Sequence, residues 1–221
     1  MEPAGERIRG AALELFAERG FHGTGIRDLA GRAGLSSATL YHYMGTKEEL
    51  LVRIMRESLD RLLTAGRQIT ENGDPPQRLV GLVSVHVLTH ATWRLETRVV
   101  DGEMRALTPV HRVEIVKLRD DYENLWQQVI DTGCDVGVFE VREPRVARRA
   151  LLEMCSGVSG WYRPDGPVAL PDLARRYGEM ALGLLGAAPL PTVPRKNRST
   201  VPPNWWWRTG PQHHHPTDSR A

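Results

Sequence analysis

The sequence predicts an all-α fold, with a small N-terminal helical unit joined to a larger helical bundle. Three observations carry this. Apolar residues recur at helical three- and four-residue spacings from residue 6 to residue 186, and no stretch sustains strand-like alternation. Among the N-terminal helices, hydroxyl residues stand before the periodic stretches and glycines after them, as helix starts and stops require. Hydrophobic residues make up 41% of the 221 residues, enough for an extensive core.

Each element can be justified in turn. In "GERIRGAALELFAERGF", Ile8, Ala12, Leu15 and Phe16 share one helix face, and Gly20 is the stop. "TGIRDLAGRAG" offers Thr24 as N-cap, an apolar set of Ile26, Leu29, Ala30 and Ala33, and Gly34 as the stop. Ser36 caps a short third helix ending near Gly45. Thr46 caps a fourth, with Glu49 completing a capping box, and its apolar positions continue to about residue 70. "TENGDPPQ" reads as a linker. Beyond it the patterns predict helices at about 76–96, 98–106, 109–132, 144–162 and 171–186. "TGCDVGVFEVREP" is a turn with a briefly extended Val-Phe-Val run.

Residues 1–48 are therefore expected to form one domain and 49–188 a second. The segment 189–221, rich in proline and poor in aliphatics, is expected to be a disordered tail. It also holds Arg195, Lys196, Arg198, Arg208 and Arg220 against Asp218 alone, so the formal net charge of +2 owes to the tail and the rest is slightly acidic. Any anion-binding site must then be local. Its "NWWWRTGPQHHHP" invites readings as a stacking or metal-binding segment, but a solvated extension is the expectation. No apolar run approaches the about 18 residues of a membrane span. Cys134 and Cys155 have no close-spaced partner, which suits free thiols and a cytoplasmic location. There is no Gly-rich phosphate loop, nucleophile elbow or paired-cysteine metal site to suggest an enzyme, a metal or a cofactor.

The second and third predicted helices are joined by "AGLSS". Two short helices around a Gly-containing turn have the shape of a helix-turn-helix, whose second helix enters the DNA major groove. Its first residues here are Ser36, Ser37, Ala38 and Thr39, small and mostly hydroxylated. Tyr41, His42 and Tyr43 follow, in a chain only 6% aromatic. Three consecutive helical residues cannot all face one core, so at least one points outward. Thr24 stands at a helix N-terminus, which favours a phosphate, and Lys47 opens the fourth helix. Simpler roles stay open: a half-buried Tyr41, a surface His42, a solvated Arg27–Asp28 pair, a capping charge at Lys47.

The stretch "FAERGFHGTGIRDLAGRAGLSSATLYHYMGTKEELL" resembles the N-terminal domain of the TetR (tetracycline-repressor-like) family. Gly25 replaces a hydroxyl residue, Ala38 a glycine, Tyr43 the usual His and Met44 the usual Phe. The resemblance implies that Leu40 is core, that Met44 packs inward, and that Tyr41, His42 and Tyr43 lie toward DNA. It also implies that Lys47 reaches a phosphate and that Thr24 and Arg27 lie on the backbone-contacting side. It implies a homodimer, a double-stranded palindromic operator, repression relieved by a small molecule, and a dimer interface from the last two helices. "EMRALTPVHRVEIVKLRDDYE" and "MCSGVSGWYRPDGP" further resemble an actinobacterial-type subset, some of whose members respond to acyl-CoA thioesters. The candidate effector-pocket residues are His86, His90 and Trp93 on one face, Tyr122 and Trp126, and the large groups Met104, Met154 and Trp161. For each of these, ordinary core packing is the competing reading. A regulator of an unrelated hydrophobic ligand and a helical interaction protein with no DNA role are the alternative functions.

Overall fold

The computed structural model describes residues 3–190, and among these every regular element is helical. The order is α1 (Ala4–Arg19), α2 (Ile26–Ala33), α3 (Ser37–Met44), α4 (Lys47–Thr70), α5 (Pro75–Thr92) and α6 (Arg94–Gly102). A short 3₁₀ turn (Glu103–Ala106) leads to α7 (Pro109–Asp135), α8 (Pro144–Ser156), α9 (Val158–Trp161) and α10 (Leu170–Leu184). The expectations for the tail lie outside the described residues. No described helix is long and apolar enough to cross a membrane.

The caps explain where the helices of the first unit begin and end. Ser36 Oγ accepts from the Thr39 N–H at 3.1 Å. Thr46 and Glu49 form the reciprocal box: Thr46 Oγ1 accepts from Glu49 N–H, and the Glu49 carboxylate accepts from Thr46 N–H. Gly34, at φ +63°, gives α2 the left-handed terminus that glycine tolerates best. One cap is corrected. Gly25, not Thr24, is the N-cap of α2, and Asp28 accepts from its N–H at 3.0 Å. Thr24 turns inward instead.

Two expected helices are interrupted. The 76–96 pattern breaks at Trp93, whose backbone leaves helical geometry (φ −113°, ψ 47°), so α5 and α6 meet at a corner. The 144–162 pattern divides at Gly157. The Val-Phe-Val run is not extended in a strand. Its Phe139 is buried, and the Glu140 N–H donates to Leu185 O at the end of α10.

α10 packs along α5, with Gly178 allowing close approach to Val80. α4 and α7 pack together, and Gly66 of α4 faces Leu125 and Tyr122 of α7. The hydrophobic core of the first unit does not stop at α4. Ile8, Leu15, Phe16, Leu29, Leu40, Met44 and Leu51 share one cluster with Val99 and Val100 of α6, Leu107, and Ile115 of α7.

Polar links follow the same path. Glu48 accepts from the Thr108 N–H at 2.7 Å and stands 2.8 Å from His111 Nδ1. Arg56 makes a two-pronged pair with Glu114. Glu96 of α6, only 4% exposed, accepts from Arg9 of α1 at 2.5 Å and from Arg61 of α4.

Candidate nucleic-acid interface and buried polar core

The outward face of α3 is set by the helix period. Along α3, Leu40 and Met44 are four residues apart and fully buried, which pins the opposite side of the helix outward. Tyr41 is 53% exposed and Tyr43 51%, large fractions for aromatic side chains, and His42 is exposed between them. The His42 and Tyr43 rings meet edge to face with centroids 5.3 Å apart, so the aromatics form an outward cluster. Ser36 and Ser37 are exposed at the helix start, and Thr39 is half-buried with its hydroxyl 2.8 Å from that of Ser36. Arg27 is exposed on α2 and has no carboxylate within ion-pair distance among the described residues. Its neighbour Asp28 is engaged by Gly25 and faces Arg19 at 3.9 Å. Hydroxyls and aromatic edges can thus meet bases and sugar, and Arg27 can meet phosphate.

Thr24 is corrected as a phosphate ligand. It is 1% exposed, and its hydroxyl is shared between Leu15 O at 3.2 Å and Gly20 O at 2.9 Å. It clasps the end of α1 rather than facing solvent. Lys47 is also not extended: its ammonium lies against the Phe21 and Thr24 carbonyls.

The candidate pocket residues divide. His86 and His90 of α5 stack at 4.1 Å, and His86 meets Tyr122 and Trp126 of α7 with centroids at 5.8 and 5.7 Å. All four are buried. His86 Nδ1 lies 3.1 Å from the Tyr122 hydroxyl, and Nε2 lies 2.9 Å from Ser156 Oγ on α8. His90 Nδ1 bonds its own helix at His86 O, and Nε2 lies 3.4 Å from Asp101, which also pairs with Arg119. Trp126 Nε1 is buried with no acceptor. Neither Ser156 nor Asp101 carries a periodic signal linking it to α5, so the sequence does not mark them as its partners. With its nitrogens committed in this way, the His pair is not arranged as metal ligands, and no cluster of three such side chains occurs among the described residues.

The other candidates lie elsewhere. Met104 is removed from the group because the 3₁₀ turn packs it against the first unit's core. Trp161 is removed because the break at Gly157 leaves it 52% exposed. Trp93 sits at the α5–α6 corner beneath the Arg61 guanidinium, 4.2 Å from its ring. Met154 is half-buried on α8, one residue before the buried Cys155, whose thiol burial pushes up to about 12.

Burial, then the neighbouring His90 and Arg119, hold the His86 imidazole well below its ordinary value. It stays neutral in the folded chain, whereas in the unfolded chain it takes up a proton near pH ~6.5. Its contribution to stability is therefore full above that pH. It is lost as pH falls from there toward the folded-state value, by up to about 1.4 kcal/mol per unit. The melting temperature is expected to fall between pH ~7 and ~5, and His86→Gln should flatten that fall. An unchanged pH profile in the variant would refute the assignment.

Two stretches of the chain match known family models. Residues 8–54 match the family model described as bacterial regulatory proteins, tetR family. Residues 72–185 match that described as tetracyclin repressor-like, C-terminal domain. The chain is 30% identical over 174 residues to the HTH-type transcriptional repressor KstR2 of Rhodococcus jostii, covering 77% of this chain and 85% of that one. A solved tetR-family bacterial regulatory protein from Rhodococcus RHA1 superposes with TM-score 0.77 at 30% identity, covering 86% of this chain and 100% of its own. The solved ketosteroid transcriptional regulator KstR2 of Mycobacterium tuberculosis superposes with TM-score 0.76 at 26% identity, covering 83% and 95%.

Proposed function

The chain belongs to the tetR family of DNA-binding transcription regulators, and on that premise we propose that it is a homodimeric repressor released from a palindromic operator by a lipophilic effector. The observation that carries the DNA half is the outward cluster of Tyr41, His42 and Tyr43 over a helix locked by Leu40 and Met44. In this reading Ser36, Ser37 and Thr39 approach base edges or phosphate, the aromatics lie along the groove, and Arg27 anchors the backbone. Residues 1–48 supply the reader, and 49–188 supply sensing and dimerisation. Apolar residues exposed on α8 and α10, among them Val146, Met180 and Leu184, support pairing of these helices with those of a second copy.

The effector half rests on the buried group of His86, Tyr122, Ser156 and Trp126. An apolar interior holding a few convergent polar atoms, one an indole N–H without an acceptor, suits a lipophilic molecule carrying a carbonyl. The similar KstR2 of Mycobacterium tuberculosis is a ketosteroid transcriptional regulator, which agrees with that chemistry. The proposed class is a CoA thioester or a related lipophilic acid.

The test uses a duplex from the gene's own promoter region. The parent should retard it, and Tyr41→Ala with Tyr43→Ala should weaken binding about tenfold or more without loss of folding. A folded double variant that binds as well as its parent would sink the DNA assignment. If no acyl-CoA of graded chain length releases the duplex or raises the melting temperature, the effector class fails while the DNA reading stands.

A further inference from the structure

The buried polar group ends on a free proton. Tyr122 of α7 is 3% exposed, and its hydroxyl meets His86 Nδ1 at 3.1 Å. Burial keeps the phenol protonated, so that proton needs an acceptor. Trp126, edge-on to the Tyr122 ring, carries an indole N–H that only donates, so it offers none. The phenol therefore donates to His86 Nδ1. Burial holds the His86 imidazole neutral, and a neutral imidazole has one donor and one acceptor nitrogen. With Nδ1 accepting, Nε2 carries the hydrogen and donates to Ser156 Oγ at 2.9 Å. Ser156 is left with its own proton to place.

Three other helical hydroxyls return their protons to their own backbone. Ser84, Thr89 and Thr132 each donate to the carbonyl four residues back, at 2.7 Å. Ser156 does not: among the described residues its hydroxyl meets only His86. It closes α8 before the break at Gly157 and is half-buried, whereas His86, Tyr122 and Trp126 are buried. An incoming molecule thus reaches the relay at this end first. The position is fixed from outside. The Ser156 carbonyl accepts from Ser159 Oγ at 2.9 Å, and Arg94 Nε of α6 donates to Ser159 O at 2.9 Å. We infer that the Ser156 hydroxyl is the specificity-determining donor of the effector site, giving its proton to a carbonyl oxygen of a lipophilic effector. Ketones, esters and thioesters offer such an oxygen, and a thioether of the same chain length lacks it. The inference rests on the reading that this group of α5, α7 and α8 takes the effector.

Titration calorimetry on the full chain compares acyl-CoA thioesters of graded chain length with the S-alkyl-CoA thioethers of matching length. The parent should prefer the thioester about tenfold, the scale of one hydrogen bond. Ser156→Ala should bind both about equally, with thioether affinity near the parent's. Ser156→Thr, which keeps the hydroxyl, should keep the preference. Nitrogen NMR of the imidazoles in the effector-free parent should show His86 with its hydrogen on Nε2. A parent that binds both series equally, or a Ser156→Ala variant that discriminates as the parent does, would overturn the inference. So would a hydrogen on His86 Nδ1, because the relay would then run the other way and Ser156 would donate to Nε2. If no acyl-CoA binds, the inference falls with the effector reading, and a hydrogen on Nε2 then places the fault in that reading rather than in the relay.

Discussion

Glu96→Ala is expected to cost about 3 kcal/mol of unfolding free energy, the low end of what breaking a buried ion pair costs. The carboxylate is 4% exposed and accepts from two guanidiniums, Arg9 at 2.5 Å and Arg61. Alanine leaves both cations facing a site that no longer offers an acceptor. Three features keep the cost from the top of the range. Arg9 retains Glu57 at 2.7 Å, Arg61 retains the Trp93 face, and both side chains keep some access to water (18% and 31% exposed). For a chain of this length the melting temperature should drop by about 6–12 °C. Glu96→Gln, which preserves shape and one carbonyl acceptor, should fall between parent and alanine. Denaturant unfolding measures both, and an alanine variant within about 1 kcal/mol of the parent would refute the account. The pairing ties α1, α4 and α6 at one point.

Gly133→Ala is expected to destabilise by about 2–3 kcal/mol, although alanine normally improves a helix by up to about 1 kcal/mol over glycine. A Cβ at Gly133 would stand 2.0 Å from Phe139 Cδ2 and 2.3 Å from Cε2. The ring has nowhere to swing. Phe139 is 3% exposed, and the Gly133 carbonyl accepts from both Val138 N–H at 2.9 Å and Phe139 N–H at 3.1 Å. The chain reverses at Gly137, with φ +73°, which delivers the ring back onto α7. Phe139→Leu in the Gly133→Ala background should recover part of the loss, giving a favourable coupling in a double-mutant cycle. Full additivity of the two changes would show that the methyl and the ring do not meet.

Local signals were legible wherever one stretch of chain decided the outcome. Ser36 and Thr46 cap helices because their acceptors and donors lie within three residues, and Gly34 ends α2 for the same reason. The outward Tyr41-His42-Tyr43 cluster follows from the helix period once Leu40 and Met44 are inside. Thr24 misled because its hydroxyl has two uses, and the carbonyls of Leu15 and Gly20 outcompete the helix start nearby. The corner at Trp93 carries no Gly or Pro mark. Met104 and Trp161 have the size of pocket residues, but the turns before them point them elsewhere. The Glu96 pairing joins residues 87 and 35 positions apart, a distance at which periodicity says nothing.

The core that runs from α1–α4 into Val99, Val100, Leu107 and Ile115 bears on how such a protein can be rebuilt. A chimera made by cutting after residue 48 and transplanting the reader onto another sensor would carry a half-finished hydrophobic surface. It would need matching apolar partners from its new host, or else the 99–115 segment would have to travel with it. Substitutions in that segment, although remote in sequence from α3, should therefore be inherited together with changes in the reader, as two halves of one exchangeable part.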